Sequence, residues 1–204
     1  MPYHFLTGLI LLITCFINYT ESEWKLELDK EGILVYTRHV VGSDFKEFKA
    51  EIDIDGTLSD VADVIADVER YPEWCYKTAS VKVIEKKENR VQYFYVSDTP
   101  SFLKTRVAFF QCDKSINKET NEITFSLTNI QADKPIPGNS LLIPIMKGSW
   151  ILTPAGGHKV HITMQMLTEP GGVIPSWLSN MVVVDSPFVT LKNLRERVKT
   201  ITKH

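Results

Sequence analysis

The chain has 204 residues, of which 44% are hydrophobic and 24% charged, and its formal net charge is −2. These values are typical of one globular domain that is large enough to bury a hydrophobic core. A charge so close to neutral gives no electrostatic basis for binding nucleic acid, and we expect no nucleic-acid partner.

The N-terminal segment differs from the rest of the chain. Residues 5–17 are almost entirely apolar, and residues 18–23 are mostly polar. A run of this length is typical of a signal peptide and is short for a membrane span. We therefore predict a signal peptide or hydrophobic anchor over residues 1–22, with export to the periplasm or out of the cell. A retained anchor and lipidation at Cys15 are the alternatives.

Cleavage of that segment would leave Cys75 and Cys112 in the mature domain. Two cysteines of an exported protein can pair, but free cysteine is also among the most buried residue types. We expect two buried free thiols.

Apolar and polar residues alternate from Trp24 onward, with the period that predicts β-strands. Residues 24–28, 33–40 and 48–54 are three such stretches. We predict that they form half-buried antiparallel strands.

A helical pattern follows over residues 57–74. Its apolar residues recur at helical intervals, and Thr57 and Asp60 have the spacing of a capping box. We predict one helix that ends at Tyr71 and Pro72.

Three hairpins and a long helix complete the chain. Residues 81–96, 106–129 and 148–167 each hold two alternating stretches around a turn, and residues 175–202 have a helical pattern. An antiparallel sheet of about nine strands buries one face by curving round that helix. The predicted fold class is therefore α+β: a helix-grip, with a curved antiparallel β-sheet wrapped round the C-terminal helix, over residues 23–204.

Two of the predicted strands carry more aromatic and flexible side chains than an ordinary core requires. Tyr93, Phe94 and Tyr95 place aromatic rings on both faces of one strand, and Met164 and Met166 lie on one face of another. Flexible thioethers suit a variable apolar partner as well as a fixed core. The pattern is compatible with a packed core and with a container for an apolar molecule.

Arg106 lies inside a predicted strand, on the same face as Ala108 and Phe110. If that face is inward, the guanidinium needs a partner, because an unpaired buried charge is strongly destabilising. We predict Asp98, Glu51 or a ligand head group as that partner. The alternative is an arginine at the rim of the sheet whose side chain reaches solvent.

The closing helix is apolar over a wide arc and contains Pro187. This proline removes a backbone hydrogen bond, which predicts a kink at a cost of about 3 kcal/mol. Gly171 and Gly172 add a flexible joint before the helix. These features predict a lid over an apolar cavity, and a poorly optimised core helix is the alternative. The predicted packing stripe consists of Trp177, Met181, Val184, Phe188, Leu191 and Val198.

Four stretches occur in an order and spacing typical of one known family. They are WKLELDKEGILVYTR (24–38), VIADVERYPEW (64–74), SWILTP (149–154) and EPGGVIPSWLSN (169–180). Together they resemble the START lipid-transfer domains of the helix-grip superfamily, which includes the birch-pollen-allergen fold. The last stretch resembles bacterial members in particular.

The resemblance implies a carrier or sensor that holds one lipid, such as a sterol, phospholipid or fatty acid, in a cavity gated by the C-terminal helix. Arg106 matches an arginine that lies inside the cavity of some relatives, whereas Val107 stands where relatives have an aspartate. We further expect no cofactor, transient membrane contact and a monomer. The predicted ligand-binding residues are Arg106, Tyr93, Tyr95, Phe110, Phe125, Met164, Met166, Trp177, Met181, Val184 and Phe188.

Two other functions stay open at this point. Some helix-grip proteins are cyclases or hydrolases, but the chain has no G-x-S-x-G or H-E-x-x-H motif, and His158 and His161 should point to opposite faces. We therefore expect neither catalysis nor a metal site. The third possibility is an interaction module whose interior is filled by its own side chains.

Overall fold

One sheet and one long helix form most of the molecule. The computed structural model describes residues 22–131, 136, 138–174 and 176–202, and it gives residues 176–181 by their helical backbone alone. The strands are β1 (Lys25–Lys30), β2 (Ile33–His39), β3 (Lys46–Asp55), β4 (Thr78–Lys87), β5 (Arg90–Ser97), β6 (Arg106–Ile116), β7 (Ile123–Asn129), β8 (Leu141–Leu142), β9 (Ile145–Pro154) and β10 (Lys159–Glu169). The helices are α1 (Leu58–Ala66), α2 (Tyr71–Trp74) and α3 (Ser176–Ile201), with a 3-10 turn at Val68–Arg70.

The strands form one antiparallel sheet in the order β1-β2-β3-β10-β9-β7-β6-β5-β4. The short β8 runs parallel to the start of β6, beyond the point where β7 ends. The three predicted hairpins are β4–β5, β6–β7 and β9–β10. The predicted helix-grip fold, with about nine strands and a C-terminal helix, is confirmed.

Alternation along each strand gives the sheet one buried face. In β10, Val160, Ile162, Met164 and Met166 are buried, whereas the residues between them are partly exposed. Successive side chains of a strand point to opposite faces, so these four residues belong to the inner face of the sheet.

The C-terminal half of α3 covers that inner face. Leu191, Leu194 and Val198 are fully buried in the same hydrophobic cluster as the inner-face residues. The predicted stripe contains Leu191 and Val198 but omits Leu194. The three residues follow the i, i+3, i+7 spacing of one helical face, so the spacing alone could have identified Leu194.

The prediction of one continuous helix over residues 57–74 is wrong. The capping box is present: Asp60 N donates to Thr57 Oγ1 at 3.1 Å, and Thr57 N donates to the Asp60 carboxylate at 3.0 Å. α1 ends at Ala66, because the next residue, Asp67, has φ of −84° and ψ of 70°, which are not helical. Pro72 does not end a helix but lies in the first turn of α2, where a missing N–H removes no helical hydrogen bond.

The alternation predicted for the first strand is interrupted. A bulge separates Leu26 from Leu28, so the pairing shifts from Leu26–Tyr36 to Leu28–Val35. As a result, Leu26 is 49% exposed and Leu28 is half-buried. An edge strand tolerates this irregularity because it has a partner on one side alone.

The predicted leader over residues 1–22 lies outside the described residues, apart from Ser22. Within the described part of the chain, no helix has the length and apolarity needed to cross a membrane. Cys75 and Cys112 are free thiols, as predicted. Cys112 is buried as expected, whereas Cys75 is half-buried.

Replacing Leu194 by alanine should lower the free energy of unfolding by about 2–5 kcal/mol, because a fully buried leucine leaves a cavity. A urea titration measures this change. Leu26→Ala is the matched control, and its effect should stay below about 1 kcal/mol because the side chain is half exposed. Equal losses for the two variants would contradict the role of α3 as the cover of the inner face.

Candidate functional site

The two ends of α3 lie near different ends of the sheet. A Cβ atom on Gly56, directly after β3, would lie 3.1 Å from Val198 Cγ1, so the end of α3 lies at the end of β3. The chain enters α3 near the opposite end of the sheet, because a Cβ atom on Gly172 would lie 2.8 Å from Leu141 Cδ1 of β8, which pairs with the start of β6. There β6 begins and β5 and β10 end. We define this region, around Arg106, as the candidate site.

Arg106 is the first residue of β6 and is 6% exposed. It shares the inner face with the buried residues Ala108 and Phe110. Its Nη1 donates to the Lys104 carbonyl oxygen at 2.6 Å, whereas Nε has no hydrogen-bond partner among the described residues. Burial lowers the pKa of the guanidinium, because a low-dielectric environment disfavours the charged form.

The two predicted carboxylate partners of Arg106 are wrong. Asp98 pairs with Lys77 at 3.3 Å. Glu51 alternates with the buried residues of β3 and pairs with Lys49 at 2.8 Å on the outer face. Among the described residues, no carboxylate forms an ion pair with the Arg106 guanidinium.

Two of the three aromatic residues on β5 line the inner face. The ring centroids of Tyr93 and Tyr95 lie 5.5 and 5.9 Å from that of Phe110. Phe94 points to the other face, where its ring centroid lies 5.0 Å from that of Phe109. The other predicted lining residues that are buried in the inner cluster are Phe125, Met164 and Met166.

A small polar cluster lies between α2, β4 and α3, and the sequence patterns did not predict it. The Cys75 thiol lies beside the hydroxyls of Thr78 and Thr190. Thr190 Oγ1 accepts a hydrogen bond from the backbone N–H of Tyr76 at 3.2 Å. Thr190 could have been noticed as a polar residue beside the apolar stripe of α3. No motif marks Cys75, Tyr76 or Thr78.

Burial keeps the titratable groups of this interior neutral. It raises the pKa of the Cys75 thiol, raises that of Cys112 to about 12, and raises the pKa of the Tyr93 and Tyr95 hydroxyls. No carboxylate or histidine is buried among the side chains that the structure describes. That part of the interior therefore presents no ionised nucleophile or base near neutral pH.

The polar anchors of α3 all follow Pro187, as far as its side chains are described. For example, Asn193 Nδ2 donates to the Trp74 carbonyl oxygen at 3.0 Å, and Lys192 pairs with Glu31 at 3.0 Å. The anchoring residues are Thr190, Lys192, Asn193, Arg195 and Arg197.

The described side chains of α3 before Pro187 are less buried than those at the end of the helix. Val182 is 47% exposed, and Val183 and Val184 are half-buried against the core. Phe188, the next predicted lining residue, is half-buried, with Lys30 Nζ 5.5 Å from its ring centroid. The side chains of the predicted lining residues Trp177 and Met181 lie outside the described residues.

The two predicted hinge glycines adopt a conformation that other residues rarely adopt. Gly171 and Gly172 have φ values of 68° and 67°. A Cβ atom would lie 2.8 Å from the Leu142 carbonyl oxygen at Gly171 and 2.8 Å from Leu141 Cδ1 at Gly172. The connection into α3 therefore packs closely on β8, and the hinge role itself stays a prediction.

Comparison with known proteins identifies the family. A sequence model of the family described as "Polyketide cyclase / dehydrase and lipid transport" matches residues 54–186, which is more than half of the chain. The chain belongs to this family. The START resemblance predicted from the sequence is thereby confirmed, because STAR-related lipid transfer proteins are also among the structures that match this START-like chain.

Three relatives show how far the likeness extends. An uncharacterised protein of Pseudomonas aeruginosa is 30% identical over 181 residues, which are 87% of this chain and 88% of that protein. A STAR-related lipid transfer protein from Xanthomonas axonopodis is 31% identical with a TM-score of 0.80, over 86% of this chain and 98% of that one. Human StAR-related lipid transfer protein 5 shares the fold, with a TM-score of 0.80 at 15% identity over 88% of each chain.

The START-like fold indicates that the chain binds a hydrophobic ligand. The two histidines weighed as metal ligands lie away from the interior. His158 is exposed in a turn, and His161 Nδ1 lies 2.8 Å from the outer-face Asp53 Oδ1. Across the described residues, no three His, Cys, Asp or Glu side chains come together in a way that could hold a metal ion.

Alkylation should report the burial of the two thiols. In the folded protein at about pH 8, iodoacetamide should modify Cys112 at least about tenfold more slowly than in urea, because burial blocks access and raises the thiol pKa. Peptide mass spectrometry separates Cys112 from Cys75. The raised pKa values also predict that stability falls as the pH rises above about 8.5, where unfolded thiols ionise. Equal alkylation rates in folded and unfolded protein would contradict the placement of Cys112.

Proposed function

We propose that this START-like protein binds one lipid-sized hydrophobic molecule between the inner face of the sheet and the part of α3 before Pro187. The protein holds that molecule away from water and exchanges it when this part of α3 moves. Arg106 carries the proposal, because its guanidinium is buried on an apolar face and its Nε lacks a partner among the described residues.

A ligand head group is the partner that Arg106 suits best. A buried cation without a counter-charge is destabilising, and a carboxylate or phosphate oxygen would accept a charge-assisted hydrogen bond from Nε. The apolar tail would lie against inner-face residues such as Phe110 and Met164. Burial of that tail supplies the driving force, about 25 cal/mol per Å². Among the predicted lipid classes, fatty acids and acidic phospholipids match this chemistry most directly.

Pro187 divides α3 into a fixed part and a movable part in this proposal. The polar anchors after Pro187 hold the C-terminal half on α2 and on the β1–β2 turn. The half-buried valines before it can separate from the sheet at a smaller loss of burial than the fully buried Leu191 and Leu194. The missing hydrogen bond at Pro187 lowers the cost of bending there.

Exposed apolar side chains surround the same end of the molecule and support a transient membrane contact. Phe102 and Val173 are 75% and 94% exposed, and Leu142 and Ile145 are also exposed. Their segments are neighbours, because β8 pairs with the start of β6 and Gly171 packs on Leu142. Contact through this rim would place the movable part of α3 at the lipid surface.

Catalysis is not part of the proposal, although the family description includes cyclases. A cyclase or hydrolase needs an acid, base or nucleophile in the right protonation state beside the substrate. The neutral thiols and tyrosines of the described interior, without a buried carboxylate or histidine, favour binding over chemistry.

Arg106→Leu should weaken the binding of palmitic acid by about ten- to a hundredfold, because it removes a charge-assisted hydrogen bond. Displacement of a fluorescent fatty acid measures the affinity, and hexadecanol, which has no charge, should lose much less. Arg90→Leu is the matched control, since it removes an exposed ion pair with Asp113. The proposal fails if the wild-type protein binds neither palmitic acid nor phosphatidic acid, or if the Arg106 variant retains full affinity for palmitic acid.

Hydrogen exchange should separate the two parts of α3. In ligand-free protein, amides of residues 178–186 should exchange at least about tenfold faster than those of residues 190–198, because the anchored part is more deeply buried. Added palmitic acid should slow the first group and leave α1 unchanged as an internal reference. Uniform exchange along α3 would contradict the division at Pro187.

A further inference from the structure

Trp74 and Thr78 carry buried polar atoms whose hydrogen-bonding capacity is not met within the described residues. Their side chains are 3% and 7% exposed, and Trp74 Nε1 and Thr78 Oγ1 make no well-formed hydrogen bond there. The Cys75 thiol, a weak donor and acceptor, and the Tyr95 hydroxyl lie beside Thr78 without forming a well-aligned hydrogen bond to it. Buried polar atoms of native proteins are almost always paired, so two such atoms at the junction of α2 and β4 indicate a missing partner.

Both residues border the interior that the proposed lipid occupies. The Trp74 ring centroid lies 6.1 Å from that of Trp150, a buried inner-face residue of β9. Thr78 begins β4 and pairs with Ser97, whose hydroxyl contacts the backbone of Arg106 at 3.1 Å. Thr78 therefore lies two strands across the sheet from Arg106, at a distance of about 10 Å.

The chemistry of these two atoms favours a ligand group that accepts hydrogen bonds. An indole N–H donates and cannot accept, and the threonine hydroxyl donates or accepts. A plain hydrocarbon chain would leave both atoms unpaired. A ketone, ester or ether oxygen could accept from both, because an oxygen acceptor has two lone pairs.

We propose that Trp74 and Thr78 form a second polar subsite, and that the natural ligand is an amphiphile with two separate oxygen functions. Arg106 holds the oxygen of the head group, and the subsite holds a second acceptor oxygen about 10 Å away in the body of the ligand. This inference rests on the proposed lipid-binding function. Such a subsite makes an unmodified saturated fatty acid a poorer ligand than one with a second oxygen function along its chain.

The test compares stearic acid with isomeric ketostearic acids whose keto group stands at successive positions along the chain. Affinities are measured with the full-length protein by displacement of a fluorescent fatty acid. One isomer should bind about tenfold more tightly than stearic acid, because its carbonyl pairs two donors that stearic acid leaves unpaired.

Two substitutions isolate the subsite. Trp74→Phe should abolish the preference for that isomer over stearic acid. Thr78→Val, which keeps the side-chain shape, should also reduce the preference for that isomer. It replaces Trp74→Phe as the test if the Trp74 variant does not fold. Trp24→Phe is the matched control: Trp24 stacks under Arg38, remote from the interior, and the preference should persist.

The outcomes separate the subsite from the proposed function. If stearic acid binds but no keto isomer binds more tightly, or if both variants keep the preference, the subsite is wrong and the lipid-binding proposal stands. If stearic acid and every keto isomer fail to bind, the proposed function is contradicted together with the subsite.

Discussion

The fold depends on one constraint: a curved ten-stranded sheet has an apolar inner face, and α3 is the long helix that covers it. Where the helix is both apolar and anchored, from Thr190 onward, its buried residues have no exposure at all. Where it precedes Pro187, its described side chains are half-buried or exposed. The burial of the cover is therefore uneven along one helix, as the proposed movement of its first part requires.

The apolar interior also contains polar atoms that the described residues leave unpaired. A sheet face built to be a simple core would gain from a hydrophobic residue at position 106, because burying a guanidinium costs more than its single carbonyl contact returns. The same reasoning applies to the Trp74 indole and the Thr78 hydroxyl. Among the described residues, Arg106, Trp74 and Thr78 border the inner face with polar atoms left unpaired, which is compatible with selection for a ligand.

Much of the fold could be predicted from the sequence, because period-two alternation fixes which strand residues face inward. The inner residues of β10 and the capping box at Thr57 followed from such local patterns. The break at Asp67 and the bulge after Leu26 did not, since neither carries a glycine or proline signal. Both are set by how the segment packs on the sheet.

The site was less predictable because its contacts join residues far apart in the chain. The face of Arg106 followed from alternation, and the same alternation along β3 places Glu51 on the outer face beside Lys49. The pairing of Asp98 with Lys77 joins two separate segments, and no local pattern predicts it. The cluster of Cys75, Thr78 and Thr190 depends on how α3 docks, and no short motif records that.

The central claim is that the interior holds one hydrophobic ligand. Native mass spectrometry of the full-length protein, purified without added lipid, tests it most directly. The account predicts one additional lipid mass per chain, carrying at least one oxygenated head group, and loss of that mass in the Arg106→Leu variant. A bare chain that stays bare after incubation with fatty acids, phospholipids and sterols would contradict it and would favour an interior filled by the protein's own side chains.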